Sequence, residues 1–413
     1  MLKKFLLISF FSILIIIIAN PNFAKTIEKN KKEVHNKFEL LTNLRNGKIY
    51  SPKSAIFSNG GKKFYVNALE GKATLVFDSE TLEMIKVIPH NFTLETSDLF
   101  LNNENTLFDY EYNNCYETGM KNIFSGKPVE STLTQDGKYL WVTYYRRNCD
   151  QNSSSPSAVA IIDTTTDDIV RVMPTGPIPK IVTNSIDNNF VAITHWGDNT
   201  IGVVDISSND PAQFSYKTLL TVGKRLKLKN INKNRDKFCG LCLRGTVFTK
   251  DGKYLFVAGM TTNRLNVFST ETWEEIGWVR LPISNPRHMV LSHDGEHLYV
   301  SFNNPGKITA LSVSEIIENA PNNEKCSGPI LHIGQGARTI ALSPDDQRLY
   351  VVCNRSSTLS CVDLTTWQVI DTIHVAPYAV GLAINPEETL AVVTSQGRNH
   401  HGGHNVAVYA IKP

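Results

Sequence analysis

The sequence predicts an all-β protein, a seven-bladed β-propeller, on three observations. A strand–turn–strand unit recurs along the chain, its spacing suits four-stranded blades, and the last copy is one strand short. The unit is plainest at residues 287–301 and 338–352: a short apolar strand, a tight polar turn, then a strand of aromatic and β-branched residues. Marking each copy by the position of Ser292 gives Ser58, Thr134, Ser185, Thr249, Ser292, Ser343 and Asn385. Thr249 to Ser292 is 43 residues and Ser343 to Asn385 is 42, a period typical of propeller blades.

Taken in order, the run at 38–44 (FELLTNL) has strand character and precedes the first copy. Copies continue with third strands at 73–78, 200–205 and 359–363, and with fourth strands at 84–88 and 369–373. One blade cannot bury both faces of its own sheet, so the copies must stack into a ring. The last copy stops after its third strand, 405–411, so the run at 38–44 is expected to supply the missing strand and close the ring.

Residues 25–413 are therefore expected to form one propeller, and residues 1–24 a secretory signal. Lys3 and Lys4 precede an apolar stretch at 5–19, and a short polar segment ends at Ala24. A retained anchor is the competing reading, but the stretch is shorter than the ~20 residues a spanning helix needs. No later segment is apolar enough to span, so the expectation is a monomer that is periplasmic, secreted or at the cell surface. A hydrophobic content of 41% excludes a disordered chain. With 42 Lys and Arg against 39 Asp and Glu, the protein as a whole is not polycationic, which argues against a dedicated nucleic-acid binder. Without Lys3 and Lys4 the counts are 40 and 39.

The second strands Tyr65-Val66-Asn67, Tyr299-Val300-Ser301 and Tyr350-Val351-Val352-Cys353-Asn354 resemble the repeat of YVTN-type seven-bladed propellers of bacterial periplasms and cell surfaces. Strand ends at Asp205 and Asp363 fit the same repeat. The resemblance spans nearly the whole chain after the signal and implies architecture; such propellers host many activities.

The fold sorts the loops. Blade-to-blade connections and the loops between second and third strands share one face, here the top; the other hairpin loops share the bottom. Five residues before each marker stands the entry to the innermost strand, at the rim of the central channel. Those positions hold Lys53, Val129, Lys180, Arg244, Arg287, Arg338 and Val380, five of them cationic. Such an array focuses positive potential and attracts a carboxylate, phosphate or sulfate, unless neighbouring carboxylates already pair with it. The same face receives a basic loop, Lys224, Arg225, Lys227, Lys229, Lys233, Arg235 and Lys237, opposed only by Asp236. Acidic turns such as those at 135–137, 187–188 and 345–346 suggest a bottom of opposite sign.

The main reading is thus a binding protein whose top face and channel mouth take an anionic small molecule, a polyanion or a partner protein. An enzymatic alternative rests on Pro286-Arg287-His288, which looks like the strand entry of seven-bladed lactonases. That likeness implies that Arg287 holds a carboxylate or oxyanion and His288 moves protons. Asn303-Asn304 stand where that family commonly has Asn-Glu. No cofactor is predicted. A metal remains open at His400, His401 and His404 of a glycine-rich top loop, and with it a metal-dependent oxidoreductase. A disulfide between Cys115 and Cys149 would pin the long insertion that follows the first blade. Cys239 and Cys242, just before Arg244, suit a local disulfide, a redox pair or half of a metal site.

Overall fold

The computed structural model describes residues 37–101, 106–112, 115, 122–228, 234–397 and 403–413. The secretory segment expected at 1–24 lies outside them, as do His400, His401, Lys229 and Lys233.

Among the described residues seven antiparallel sheets of four or five strands follow one another along the chain, with a two-stranded one, Thr106–Leu107 with Tyr110–Glu111, in the insertion after the first. Their innermost strands are Pro52–Phe57, Phe124–Thr134, Pro179–Asn184, Leu243–Phe248, Pro286–Leu291, Ala337–Leu342 and Ala379–Ile384. Each packs on the next and the seventh on the first, so the ring is closed around a central channel. No described helix is long and apolar enough to cross a membrane.

The marker residue explains why the repeat is legible. In blade five the Ser292 hydroxyl donates to Asp294 (2.5 Å) and accepts from the His297 amide (2.9 Å), bracing the first turn. Ser343 does the same with Asp345 and the Arg348 amide, and Thr249 with Asp251 and the Tyr254 amide. Three residues after the marker, all seven blades adopt a positive φ, at Gly61, Gly137, Asn188, Gly252, Gly295, Asp346 and Glu388. Left-handed backbone is cheapest for Gly, Asn and Asp, which is why the turn reads as a polar, glycine-rich signature.

Second and third strands are buried on both faces, as at Phe64–Ala68 and Ala73–Phe77. The apolar side chains gather into clusters between neighbouring blades rather than within them. Leu140, Val142 and Tyr144 of blade two, for example, pack on Tyr65, Val76 and Ile88 of blade one.

The run Phe38–Leu44 pairs antiparallel with Asn405–Ile411, Phe38 opposite Ile411 and Leu44 opposite Val406, and so completes blade seven. Phe38 packs into the cluster between blades six and seven, and Leu44 against the one between seven and one. At this seam Gly381 lets two innermost strands touch. A Cβ there would overlap the Lys53 carbonyl and stand 2.6 Å from Thr394 Oγ1. Gly381→Ala is therefore expected to destabilise the protein by about 1–3 kcal/mol, the range for overpacking, as read by chemical denaturation.

Three features depart from the plain repeat. Asn91–Phe92 adds a fifth strand to blade two, whose inner strand starts at Phe124, several residues above the rim. A helix, Val313–Asn319, is inserted between the third and fourth strands of blade five. The bottom is less acidic in effect than its turns suggest, because cations of adjacent blades hold several carboxylates. Lys63 Nζ donates to Asp167 at 2.8 Å and Arg348 Nη2 to Glu388 at 2.8 Å.

Candidate functional site

The five rim cations converge on the channel mouth, each entering from a different blade, and their charges act on one another. Two carry carboxylate partners. Arg244 Nη2 pairs with Glu130 Oε1 at 2.5 Å, and Lys180 pairs with Asp236. The other three have none among the described residues. Lys53 Nζ donates to Gln396 Oε1 (2.7 Å), Arg338 Nε to the Val380 carbonyl (3.2 Å), and Arg287 Nη1 to the Met260 sulfur (3.2 Å). The Nε of Arg287 is buried and has no hydrogen-bond partner among the described residues. Around the ring, Arg287, Arg338 and Lys53 belong to blades five, six and one, with Val380 of blade seven between the last two. They form an arc of cations with no carboxylate in contact among the described residues, Glu130 acting on all three from further off.

Burial and mutual repulsion act together on this arc. Burial, then Arg338 and the other cations, hold the Lys53 ammonium well below its usual range. Burial lowers Lys180 to about 7, a fall that Asp236 opposes. Burial and the neighbouring guanidiniums also lower Arg287, and Arg338 is pushed down to about 10. Guanidinium groups still hold their protons at neutral pH. Half-buried, unpaired like charges cost stability, so a fold that retains them invites a counter-ion.

The top loops shape one wall. Lys180 Nζ lies 3.9 Å from the Trp196 ring centroid and 5.4 Å from that of Tyr145. Trp196 Nε1 donates to the Asp236 carbonyl at 3.1 Å. Beneath it Cys239 and Cys242 are joined in a disulfide that packs with Ile178 and Trp196, with Tyr145 and Met260 alongside. The disulfide thus sits under the side chains that support Lys180 and Arg287. Cys115 and Cys149 form a second disulfide, which ties the insertion to blade two. Cys353 and Cys361 are buried outside both; in the strand register Cys353 faces Thr358 and Cys361 faces Tyr350, so they do not meet.

His288 stands one residue below Arg287; burial lowers it to about 4, with Glu130 opposing the fall and Arg244, Arg287 and Arg338 adding to it, so it is neutral near pH 7. It lines a channel cavity of ≈ 320 Å³ together with Glu130. Its Nδ1 faces the Ile340 amide at 3.5 Å. Of the histidines in the last top loop, only His404 is described; its Nδ1 accepts from the Ser51 amide (3.0 Å) and its ring stacks on Tyr50. That nitrogen is committed to the backbone and not turned toward a metal.

The basic loop is less free than its sequence suggests. Arg225 is held by Asp109 (2.5 Å) and Asp198, and Arg235 is buried with Nη2 on the Lys227 carbonyl (2.6 Å). These arginines tie the loop to the blade-two insertion and to blade three, leaving Lys224, Lys227 and Lys237 exposed. Nor does His195 reach the mouth: it is fully buried, its Nε2 accepting from the Gly176 amide at 3.0 Å. Sequence reasoning passed over Glu130, although it directly follows the rim position Val129, and it read Asp236 only as an interruption in a basic run.

The fold and the site define a seven-bladed β-propeller with a cationic channel mouth. No family model matches the chain. It is similar to a curated protein of Leptospira interrogans, Antigen Lp49, at 24% identity over 290 residues, 64% of this chain and 54% of that protein. The chain thus spans about half the length of that relative. Among solved structures it resembles the β-propeller domain of Cps50 (Swd1) from Myceliophteria thermophila, with a TM-score of 0.62 and 13% identity over 91% of this chain and 100% of that one. It also resembles the hydrazine synthase of Kuenenia stuttgartiensis, with a TM-score of 0.60 and 12% identity over 90% of this chain and 99% of that one. At such identities the likeness is one of fold.

Proposed function

We propose that this protein is an exported propeller that binds an anionic ligand at the mouth of its central channel. The observation that carries the reading is the arc of Lys53, Arg287 and Arg338, three converging cations without a carboxylate partner among the described residues. Glu130 and Asp236 neutralise two of the five rim charges, which leaves an excess of positive charge suited to an anion. Export is supported by two disulfides and by the similarity to a protein described as an antigen. The lactonase-like alternative lacks comparable support: Arg287 sits in the arc, but His288 is held neutral below it and faces a backbone amide.

The test is calorimetric titration with citrate at rising salt and rising pH. Affinity is expected to fall with salt, as for any site dominated by charge. The pH sign follows from Lys53, the lysine of the arc, whose ammonium form binds the anion and whose pKa is held well below the usual lysine range by burial and then by the neighbouring cations. Binding should therefore weaken as rising pH deprotonates that lysine, below the pH at which an exposed lysine would lose its proton, with proton uptake on binding in that range. Affinity that is indifferent to both variables overturns the reading.

A further inference from the structure

We infer that the ligand is an amphiphilic anion, a single-chain alkyl carboxylate whose acidic end meets the cation ring and whose chain runs down the channel. This rests on the reading of the ring as an anion site and specifies what lies behind the charged end.

The channel changes character in layers. At the rim stand the five cations. One residue further along the innermost strands come Ser54, Glu130, His288 and Thr339, polar in four blades, with Ile181, Gly245 and Gly381 in the other three. Below this layer, three or four residues past the rim, six blades place half-buried apolar side chains: Val247 and Val290 line a cavity of ≈ 320 Å³, and Ile56, Leu133, Leu342 and Ile384 a second of ≈ 460 Å³. Blade three places Thr183 and Asn184 at this level and blade two Thr132, whose hydroxyl donates to Asn184 Oδ1 (3.0 Å); Ser131 and Thr246 line the first cavity just above. Between Glu130 and His288 above and His293 at the bottom, no ionisable side chain lines either cavity among the described residues. A ligand charged at both ends would find a partner for only one of them. A ligand charged at one end and apolar beyond it matches the order of the layers. From the rim position to the residue before the marker is four residues of strand, ~13 Å at ~3.3 Å per residue, the reach of a medium-length chain.

The experiment is titration of the protein with acetate, butyrate, hexanoate, octanoate and decanoate, kept below micelle formation, beside citrate. Each added methylene that enters the channel is expected to tighten binding about fourfold, which is ~0.8 kcal/mol per buried CH₂ at ~1.4 kcal/mol per decade. The gain should level off when the chain exceeds the channel. Val290→Thr combined with Val247→Thr, which keeps side-chain shape and adds hydroxyls to one cavity, should flatten the dependence on chain length while citrate affinity stays within about twofold. Citrate binding with no dependence on chain length overturns this inference and leaves the anion site standing. Failure of citrate and every carboxylate to bind overturns both.

Discussion

Removal of Phe38–Leu44 is expected to abolish the cooperative unfolding transition and to leave a chain that self-associates. The segment supplies the outer strand of blade seven and hydrogen-bonds along Asn405–Ile411. Without it that strand becomes an open edge whose unpaired amides and carbonyls recruit a second chain. The damage reaches further than one edge, because Phe38 and Leu44 pack against different interblade clusters, on either side of blade seven. A ring stabilised between blades loses two of its interfaces together. The milder variant Phe38→Ala should still cost about 3–5 kcal/mol, since Phe38 is buried and meets the Tyr350 ring edge-on. Light scattering and thermal melts check both; a monodisperse, cooperatively melting truncation contradicts the closure account.

The second large effect is on binding. Arg287→Ala is expected to weaken citrate affinity by about 2 kcal/mol or more, roughly thirtyfold, as when one member of a desolvated charge pair is removed. Arg338→Glu, which places a carboxylate inside the arc, should abolish binding outright. Neither change should lower stability. Burial first, and then repulsion from neighbouring cations, lowers the pKa of Arg287 and Arg338 in the free protein, so removing either buried cation makes the variants as stable as the parent or more so. Tighter ligand-free folding together with lost affinity is a signature that a purely structural role would not produce.

Much of the architecture was legible in the sequence because a single marker hydroxyl and the left-handed residue three positions later recur in chemically readable form. The helix Val313–Asn319 carried a signal that blade periodicity masked. Ser312 stands three residues before Glu315, a helix-start pattern, and its hydroxyl accepts from the Glu315 amide. The ring of cations followed from position within the repeat. Which of them stay unpaired did not, because Glu130 and Asp236 reach Arg244 and Lys180 across blades, over sequence separations of 114 and 56 residues. The basic loop misled for the same reason: Asp109 and Asp198, distant in sequence, hold Arg225. Charge patterns read along the chain do not reveal partners that the ring brings together.

The central claim is that Lys53, Arg287 and Arg338 form an anion site at the channel mouth. The most direct measurement is anomalous diffraction from crystals soaked in selenate. The account predicts an anomalous peak among these three side chains, within hydrogen-bonding distance of both guanidiniums, that disappears in Arg287→Ala. Peaks confined to exposed residues such as Lys224 and Lys227, with the mouth empty, would contradict it.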